Sequence, residues 1–588
     1  MDKSKITKSH AMFASVLLII IIGVASFAYF GTFNVNLNNN VAVNINSSSP
    51  GNATFTSNAT QLNLQVPAAN MSFTVANNTV AAKEDTAFLD VTLTGSQNLL
   101  TTCTYDIVYE YDAGSNVYGQ GTTTKTSGTT KEITIEVNGM NGNNHFATET
   151  NFDHASIQSY YDSTNKYYKL VEGATIKSLG TEQSVRWKIT GRYYNLTASQ
   201  AQLGGKAFTG KIYAISKGCS SEDGTTVKKG YETILANNGG AASMTTLTST
   251  DFATATTASD KGMYKAQDDL GTSYYFRGAV DNNWVKYGKY TKDAYITVDS
   301  NDNYSLVDSC NGLNLCVKLA SKGDDMYWRI IRVNGDNSIR MIYTGTSAPD
   351  NNTKVVMTES INSSGYIRAT SAGMSKFNQN FDSAEYVGYM YEIGKQHGTS
   401  QSSDIKTYLE DWYANYTDLN ASETKITDQI FCNDRTSSTD SSGIPGEISS
   451  WASTGTAYYY GSYYRVVEKY STPMPSLICD NANDKFTTTT AKGNGKLSYP
   501  IGLITADEVN MAGASSNQSY YLYNENSYWG GSPFDFSDDG AYESSVDIDG
   551  HLSGGFVSES GGVRGVVSLS SESKLLGSGT YNDVYTVS

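Results

Sequence analysis

The chain has 588 residues, a formal net charge of −16 and only 17% charged residues. Its length allows about four domains, or two or three larger ones, and its acidity argues against nucleic-acid binding, because phosphates would be repelled. With 43 tyrosines, 53 glycines and 5 histidines, the composition favours exposed β-structure and argues against a multi-histidine metalloenzyme.

The N-terminus predicts export. Residues 1–10 carry three lysines, and residues 11–30 read AMFASVLLIIIIGVASFAYF without a charge. A helix of this length spans about 30 Å, enough for the bilayer core, and basic residues before it hold that end in the cytoplasm. Residues 1–30 are therefore either a signal peptide, with Ser26 and Ala28 before the cleavage site, or a signal anchor. The rest of the chain is expected to be extracellular, at the cell surface or membrane-anchored through residues 11–30.

Six cysteines fit this export, because an even number outside the cell predicts disulfides. Six cysteines allow fifteen pairings, and free thiols are the alternative. Pairing of neighbours along the chain gives three bridges: Cys103–Cys219, Cys310–Cys316 and Cys432–Cys479. The spacings do not match zinc motifs.

Two domains are predicted around a polar linker. Residues 31–66 are Asn-rich and are expected to be a loose leader. Within residues 67–219, segments such as AFLDVTLTG and SVRWKITGRYY alternate apolar and polar residues. In EITIEV, Ile133, Ile135 and Val137 alternate with polar residues, which predicts a strand with one wet face. Several such strands with little helical pattern predict an antiparallel β-sandwich.

A first resemblance follows from this region. The apolar segment ending in SFAYFGTFNVN, followed by the strand series, resembles the exported biofilm-matrix fibre and camelysin group of Gram-positive bacteria. The stretch TGRYYNLTASQAQLGGKAFTGKIYAI is similar to the closing strands of such domains. The resemblance covers residues 11–218 and implies a β-sandwich. The peptidase activity described for camelysin is not carried over, because the chain has no His-Glu-x-x-His motif.

Residues 220–261 are rich in Ser, Thr, Gly, Asn and Ala and are expected to be mostly linker, with one short helix at residues 231–236. A second domain is predicted over residues 262–588. It contains the hairpin YWRIIRVNGDNSIRMIY, in which Asn334 and Gly335 open the turn.

Two helices are predicted in the second domain. In SSDIKTYLEDWYANY, Ser402 or Ser403 caps a helix whose apolar stripe is Ile405, Tyr408, Leu409, Trp412 and Tyr413. The sequence TADE at residues 505–508 is a capping box that starts a shorter helix, which stops by Gly513.

A second resemblance lies in the block YPIGLITADEVNMAGASSNQSYYLYNENSYWGGSP and the later GGVRGVVSLS. This block resembles a domain of Firmicutes surface proteins that is similar in layout to the C-type-lectin-like fold of formylglycine-generating enzymes. The resemblance implies paired first and last strands, helices on one side and long loops on the other. Gly565 replaces the usual Pro, while Val563, Val566, Val567 and Leu569 still predict a strand. The expected fold class is mainly β with some α: an N-terminal antiparallel β-sandwich plus a C-terminal α+β C-type-lectin-like domain.

The candidate sequence motifs for catalysis and metal binding are incomplete or missing. The stretch TAKGNGKL lacks the first Gly and the closing hydroxyl of a phosphate loop, and the run beginning at Asp299 has Tyr304 and Cys310 where a calcium loop needs Gly and Glu. No Cys follows Cys479, as the formylglycine-generating activity would require, and the sugar-binding motifs of calcium-dependent lectins are missing. We therefore expect no enzyme activity, cofactor or metal.

The remaining candidate is a polar-aromatic stretch at residues 514–560, which the lectin-like layout would display as long loops. Tyr, Asp and Asn are typical of adaptable recognition loops. The predicted ligand-binding residues are Tyr521, Tyr523, Tyr528, Asp538, Asp539 and Tyr542, with Trp529 buried beneath them.

Three functions are compatible with these patterns. The first is a cell-surface or secreted binding or adhesion protein that displays a lectin-like head on a β-sandwich stalk and binds an extracellular glycan or protein. The second is a structural matrix or fibre subunit that self-associates through the sandwich. The third is a secreted enzyme.

Overall fold

The computed structural model describes residues 41–588, apart from the segments 47–51, 66–82, 96–97, 112–130, 153–156, 195–206, 225–226, 302, 314, 350–357, 363–364, 370–371, 438–457, 469–471, 515–517, 525 and 538–539. The predicted signal or anchor segment, residues 1–30, lies outside the described residues. Within the described part of the chain, no helix has the length and hydropathy needed to cross a membrane.

The chain forms two compact units, residues 1–226 and 227–588. The strands of unit 1 are β1 (Val41–Asn46), β2 (Asn52–Ser57), β3 (Thr60–Gln65), β4 (Lys83–Thr94), β5 (Leu99–Tyr111), β6 (Ile133–Asn138), β7 (Asn143–Asn144), β8 (Thr150–Asn151), β9 (Tyr161–Asp162), β10 (Tyr167–Leu179), β11 (Glu182–Tyr193) and β12 (Ala207–Asp223). A 3-10 turn, Gln158–Tyr160, precedes β9.

Unit 1 is a sandwich of two antiparallel sheets. One sheet has the strand order β1-β2-β4-β11-β6-β8, and the other has the order β3-β12-β5-β10-β7. The sheets meet through Trp187 of β11, whose indole N–H donates to the Tyr105 hydroxyl of β5 at 3.0 Å. Gly139 must be a glycine here, because a Cβ would lie 2.0 Å from the Trp187 ring. The mainly β class and the sandwich-like sheets are confirmed.

Two details of the sandwich differ from the sequence-based expectation. The Asn-rich leader is not loose throughout, since residues 41–46, 52–57 and 60–65 are strands that extend both sheets. In these strands Asn alternates with apolar residues, so Leu62 and Leu64 reach the core. The face of β6 that was expected to contact solvent is also buried at Thr134, which is 0% exposed.

Unit 2 is α+β. Its strands are β13 (Lys261–Asp268), β14 (Gly271–Gly278), β15 (Trp284–Lys289), β16 (Ala294–Val298), β17 (Tyr304–Val307), β18 (Cys316–Ala320), β19 (Asp325–Val333), β20 (Ile339–Gly345), β21 (Thr358–Asn362), β22 (Gly365–Ala369), β23 (Met374–Lys376), β24 (Met390–Tyr391), β25 (Gln401–Ser402), β26 (Phe431–Cys432), β27 (Tyr458–Tyr459), β28 (Lys485–Phe486), β29 (Tyr528–Ser537), β30 (Gly540–Val546), β31 (Leu552–Phe556), β32 (Ser560–Gly562), β33 (Val566–Leu569), β34 (Leu575–Leu576) and β35 (Tyr585–Val587). Its helices are α1 (Gly230–Asn237), α2 (Ser249–Ala253), α3 (Asp404–Tyr416), α4 (Gly461–Tyr463), which continues as the π-helical turn Tyr464–Glu468, and α5 (Ala506–Ala512). Short 3-10 turns lie at Ala241–Ser243, Ala384–Val387 and Ala482–Asp484.

Two larger sheets organise unit 2. The first has the order β13-β14-β19-β15-β35-β34, with β20 joining β19 to β33. The second has the order β23-β32-β29-β30-β31, with β27 paired to β29. The C-terminal strand β35 pairs in parallel with β15, so the end of the chain returns to the beginning of the unit.

The predicted hairpin and helices of unit 2 are present. Strands β19 and β20 pair across the Asn334 turn, with Val333 opposite Ile339. Ser403 caps α3 by accepting a hydrogen bond from the Lys406 amide, and the predicted stripe of α3 is buried. Part of the expected linker is folded as well, because α1 and α2 bury Ile234 and Phe252.

A buried ion-pair network joins the TADE motif to the hairpin. Thr505 caps α5, and the Glu508 carboxylate returns to the Thr505 amide at 3.1 Å. The same carboxylate contacts Arg332 of β19 at 2.8 Å and Arg340 of β20 at 2.7 Å. Arg332 also binds Asp268 of β13 at 2.6 Å. Burial alone would raise the pKa of Glu508, but the charges of Arg340 and Arg332 outweigh it and hold that pKa below its ordinary value.

All six cysteines are paired, as predicted: Cys103–Cys219, Cys310–Cys316 and Cys432–Cys479. Cys103 and Cys219 lie opposite each other on β5 and β12. Such bridges are typical of proteins that fold in an oxidising compartment.

Removal of the Cys432–Cys479 bridge should destabilise unit 2 by about 3–4 kcal/mol, because it closes a long loop, with the two cysteines 47 positions apart. The double variant Cys432→Ser/Cys479→Ser, measured by urea unfolding of the oxidised protein, tests this. The matched control is Cys310→Ser/Cys316→Ser, whose separation is only 6 positions and whose loss should be about 2 kcal/mol. Equal losses for the two variants would contradict the loop-length argument.

The substitution Glu508→Gln should cost about 3–5 kcal/mol, because it leaves two buried arginines without their shared carboxylate. Thermal and urea unfolding measure the loss. The control Asp281→Asn removes an exposed ion pair with Lys261, with side chains 65% and 54% exposed, and should cost less than about 1 kcal/mol. A Glu508→Gln protein as stable as the control would show that the network does not hold the unit together.

Candidate ligand-binding face

The predicted ligand-binding tyrosines are mostly in the core, which corrects the expectation that they are exposed. Tyr521, Tyr523 and Tyr528 are 3%, 7% and 0% exposed. Trp529 is 3% exposed, as predicted, and its indole N–H donates to the Ser375 carbonyl at 2.8 Å. Asp538 and Asp539 lie outside the described residues. Of the described candidates, only Tyr542 is half-buried and retains surface.

The segment 514–560 is not a set of long loops. It contains the antiparallel meander β29-β30-β31, with Tyr542 opposite Phe556 across the last two strands. Two glycines of β31 make room for aromatic rings: a Cβ at Gly554 would lie 2.5 Å from the Phe534 ring, and one at Gly555 would lie 2.6 Å from the Trp529 ring. The composition that predicted recognition loops therefore belongs to a sheet, and Tyr542 stands on one of its faces.

Six aromatic side chains form a continuous surface on that side of the sheet, here called the aromatic face: Phe381, Tyr459, Tyr463, Phe534, Tyr542 and Phe556. At one end, the Tyr459 and Tyr463 rings stack at 5.0 Å, and Tyr463 meets Phe534 edge-on at 4.4 Å. At the other end, Phe556 lies 4.9 Å from Phe381 and 5.2 Å from Tyr542. Phe381 is 41% exposed, and the other five are half-buried.

A bulge and a glycine connect the two ends of the aromatic face. The register of β29 against β30 shifts between Pro533 and Asp535, which turns Phe534 toward the side of Tyr542. The Phe534 ring then covers Gly554 of β31, where a Cβ would lie only 2.5 Å from the ring. Gly554 and Phe556 are two residues apart on one strand and share a face. The bulge therefore places Phe534 beside Phe556.

Asp535 adds one acid to the aromatic face. It lies opposite Tyr542 on β30 and opposite Tyr459 on β27. Burial raises the pKa of Asp535 from 3.8 to about 6. A carboxylate held against aromatic rings at a cost in stability is typical of a functional position, because it keeps an acceptor ready for a ligand donor.

The opposite face of the same strand is closed. Glu543 follows Tyr542 along β30 and is 0% exposed, and neither of its carboxylate oxygens has a hydrogen-bond partner among the described residues. Burial raises the pKa of Glu543 well above its ordinary value, although the charge of Arg435 acts in the other direction. The aromatic face is thus the accessible side of this sheet.

A second candidate is the cleft beside the ion-pair network. It is lined by Arg332, Arg340, Arg465, Asp507 and Glu508, and its cavity volume is about 30 Å³. That volume holds a water molecule or two but no sugar or peptide side chain. Its charged groups already pair with one another, as Arg465 does with Asp507 at 2.9 Å. The cleft is therefore part of the scaffold, while the aromatic face offers the surface.

In the described part of the chain, no group of three or more His, Cys, Asp or Glu side chains is placed to hold a metal ion. Comparison of the chain with protein-family models, with curated proteins and with solved structures finds no match in any of the three. The function of the aromatic face must therefore be argued from its own geometry.

Sequence reasoning found Tyr542 and missed the rest of the aromatic face. Phe534 and Phe556 belong to strands, and the available signals were the alternation of Phe with Asp in SPFDF and the two apolar ends of LSGGF. Phe381, Tyr459 and Tyr463 come from distant parts of the chain, so their position depends on the tertiary fold.

The substitution Asp535→Asn should stabilise the protein at pH 7.5 by about 1–2 kcal/mol and leave stability unchanged near pH 3.5. The folded pKa of Asp535, about 6, lies above its ordinary value of 3.8, so the folded state holds the proton more tightly. The wild type therefore loses stability as the pH rises between these values, and the amide removes this loss. Urea unfolding across this pH range measures it. A variant with the same pH profile as the wild type would contradict the assignment.

Proposed function

We propose that the chain is an exported binding protein whose C-terminal unit binds a carbohydrate through the aromatic face. The observation that carries this proposal is the row of six partly exposed rings on one sheet face, with Asp535 among them. Unit 1 is the stalk and unit 2 the ligand-binding head in this proposal.

Export is supported by the disulfides and by the charge pattern of the N-terminus. All six cysteines are paired, which suits an oxidising compartment. The lysines before the apolar residues 11–30 favour an extracellular position for the rest of the chain. The resemblance to Gram-positive surface proteins points to the same location.

Carbohydrate is favoured by the chemistry of the surface. An aromatic ring has a negative face, which attracts the polarised C–H groups on the flat side of a sugar ring. Rings in a row suit successive sugar units, and the Asp535 carboxylate can accept hydrogen bonds from hydroxyl groups. A face of this kind fits an extended glycan better than a small cofactor, which needs a concave pocket.

The substitutions Tyr542→Ala and Phe556→Ala should each weaken glycan binding about tenfold, equivalent to about 1.4 kcal/mol of lost stacking. A glycan array probed with the secreted chain identifies the ligand, and titration calorimetry measures the affinity. Binding should also weaken below pH 6, as Asp535 becomes protonated.

Tyr581→Ala is the matched control, because Tyr581 is 37% exposed but lies between β34 and β35 of the other large sheet. It should leave the affinity unchanged. An array without glycan binding, or equal losses for Tyr581→Ala and Tyr542→Ala, would overturn the proposal. Binding of a protein that free sugar does not displace, and that Tyr542→Ala and Phe556→Ala do not weaken, would instead support a protein ligand.

A further inference from the structure

Three buried arginines in the described part of unit 2 lack an acidic partner, and two of them, Arg329 and Arg564, also keep a donor without an acceptor. Arg329 and Arg564 are 2% and 0% exposed, and neither has a carboxylate within ion-pair distance among the described residues. The buried Arg435, by contrast, binds Asp484 at 2.6 Å. Arg277 is also buried, and it donates to four backbone carbonyls at 3.0–3.2 Å. Arg329 and Arg564 are here called the arginine pair.

Each member of the arginine pair keeps an unused donor. The Nη2 of Arg329 donates to the Val280 carbonyl at 2.6 Å, but the Nε of Arg329 has no acceptor among the described residues. Arg564 donates from Nε to the Tyr343 carbonyl and from Nη1 to the Leu522 carbonyl, both at 3.1 Å, while its Nη2 has no acceptor in the described part of the chain. Buried donors without acceptors are costly, so each calls for a partner.

The arginine pair flanks one short stretch of chain. The guanidinium of Arg329 lies 5.4 Å from the Tyr521 ring centre, and Arg564 binds the carbonyl of the next residue, Leu522. The Tyr521 hydroxyl is a third buried group for which the described residues supply no hydrogen-bond partner. The indole of Trp284, 4.2 Å from the Arg329 guanidinium, covers Arg329.

The two charges affect each other. Burial lowers the pKa of Arg329 to about 9, Tyr521 opposes this shift, and the positive charge of Arg564 adds to it. Even so, Arg329 stays charged at neutral pH. Two like charges in a low-dielectric interior are unfavourable unless a counter-charge is present.

We propose that Arg329, Arg564 and Tyr521 bind a small monovalent inorganic anion of the chloride class inside unit 2. Such an anion accepts hydrogen bonds from all sides and donates none, which matches three groups that can all donate. The near-complete burial of the three side chains restricts the ligand to a small ion. A ligand that binds only the folded state stabilises it as its concentration rises.

The test is the chloride dependence of stability. The melting temperature of the secreted chain should rise by a few degrees and then level off as sodium chloride replaces sodium gluconate at constant ionic strength. Sodium bromide should have the same effect, and bromide-soaked crystals should show an anomalous peak in contact with both members of the arginine pair.

Variants test whether the chloride response arises at the arginine pair. Arg329→Met keeps much of the side-chain volume and should abolish the chloride response, while Tyr521→Phe keeps the ring and should weaken it. The matched control, Arg277→Met, removes another buried arginine and should keep the full response even if it lowers the melting temperature. If Arg329→Met does not fold, the chloride response of Tyr521→Phe and the anomalous peak in bromide-soaked crystals test the proposal.

Equal melting temperatures in chloride and gluconate would overturn the proposal. So would a full response in both Arg329→Met and Tyr521→Phe, or bromide crystals with water alone beside the arginine pair.

Discussion

The shared carboxylate of Glu508 is the contact on which the second unit depends. It ends the capping box of α5 and at the same time neutralises Arg332 and Arg340 on the two strands of the central hairpin. Because all three side chains are buried, this contact fixes the short helix to the first large sheet at one register. The segment that follows α5 therefore starts from a fixed position. It covers the arginine pair and then enters β29, whose sheet carries the aromatic face.

Elements with strong local signals could be predicted from the sequence. The β19–β20 hairpin follows from its turn residues, α3 from its stripe and α5 from its cap, because each pattern lies within about 20 residues. The burial of Tyr521 and Tyr528 could not be predicted. It depends on Arg329 of β19 and on Arg564, which precedes β33, and both are distant from these tyrosines in the sequence. A tyrosine-rich segment looks the same in sequence whether it is covered or exposed.

The candidate site illustrates the same division between local and tertiary information. Tyr542, one of the predicted ligand-binding residues, keeps part of its surface exposed, but Phe381 and Tyr459 reach the aromatic face only through the packing of remote segments. Both proposed sites also share a physical feature. Burial shifts the pKa of Arg329 and of Asp535 toward the uncharged form, and strongly shifted pKa values cluster at functional sites.

The parallel pairing of β35 with β15 has a consequence for biogenesis. Val285 of β15 pairs with Tyr585 of β35, so the first large sheet is completed by the last of the described strands in chain order. Because a chain is synthesised from its N-terminus, unit 1 can fold while unit 2 is still incomplete. The first large sheet cannot be completed until β35 has been made, and a chain that has not yet reached β35 exposes β15 as an open sheet edge to proteases and to other chains.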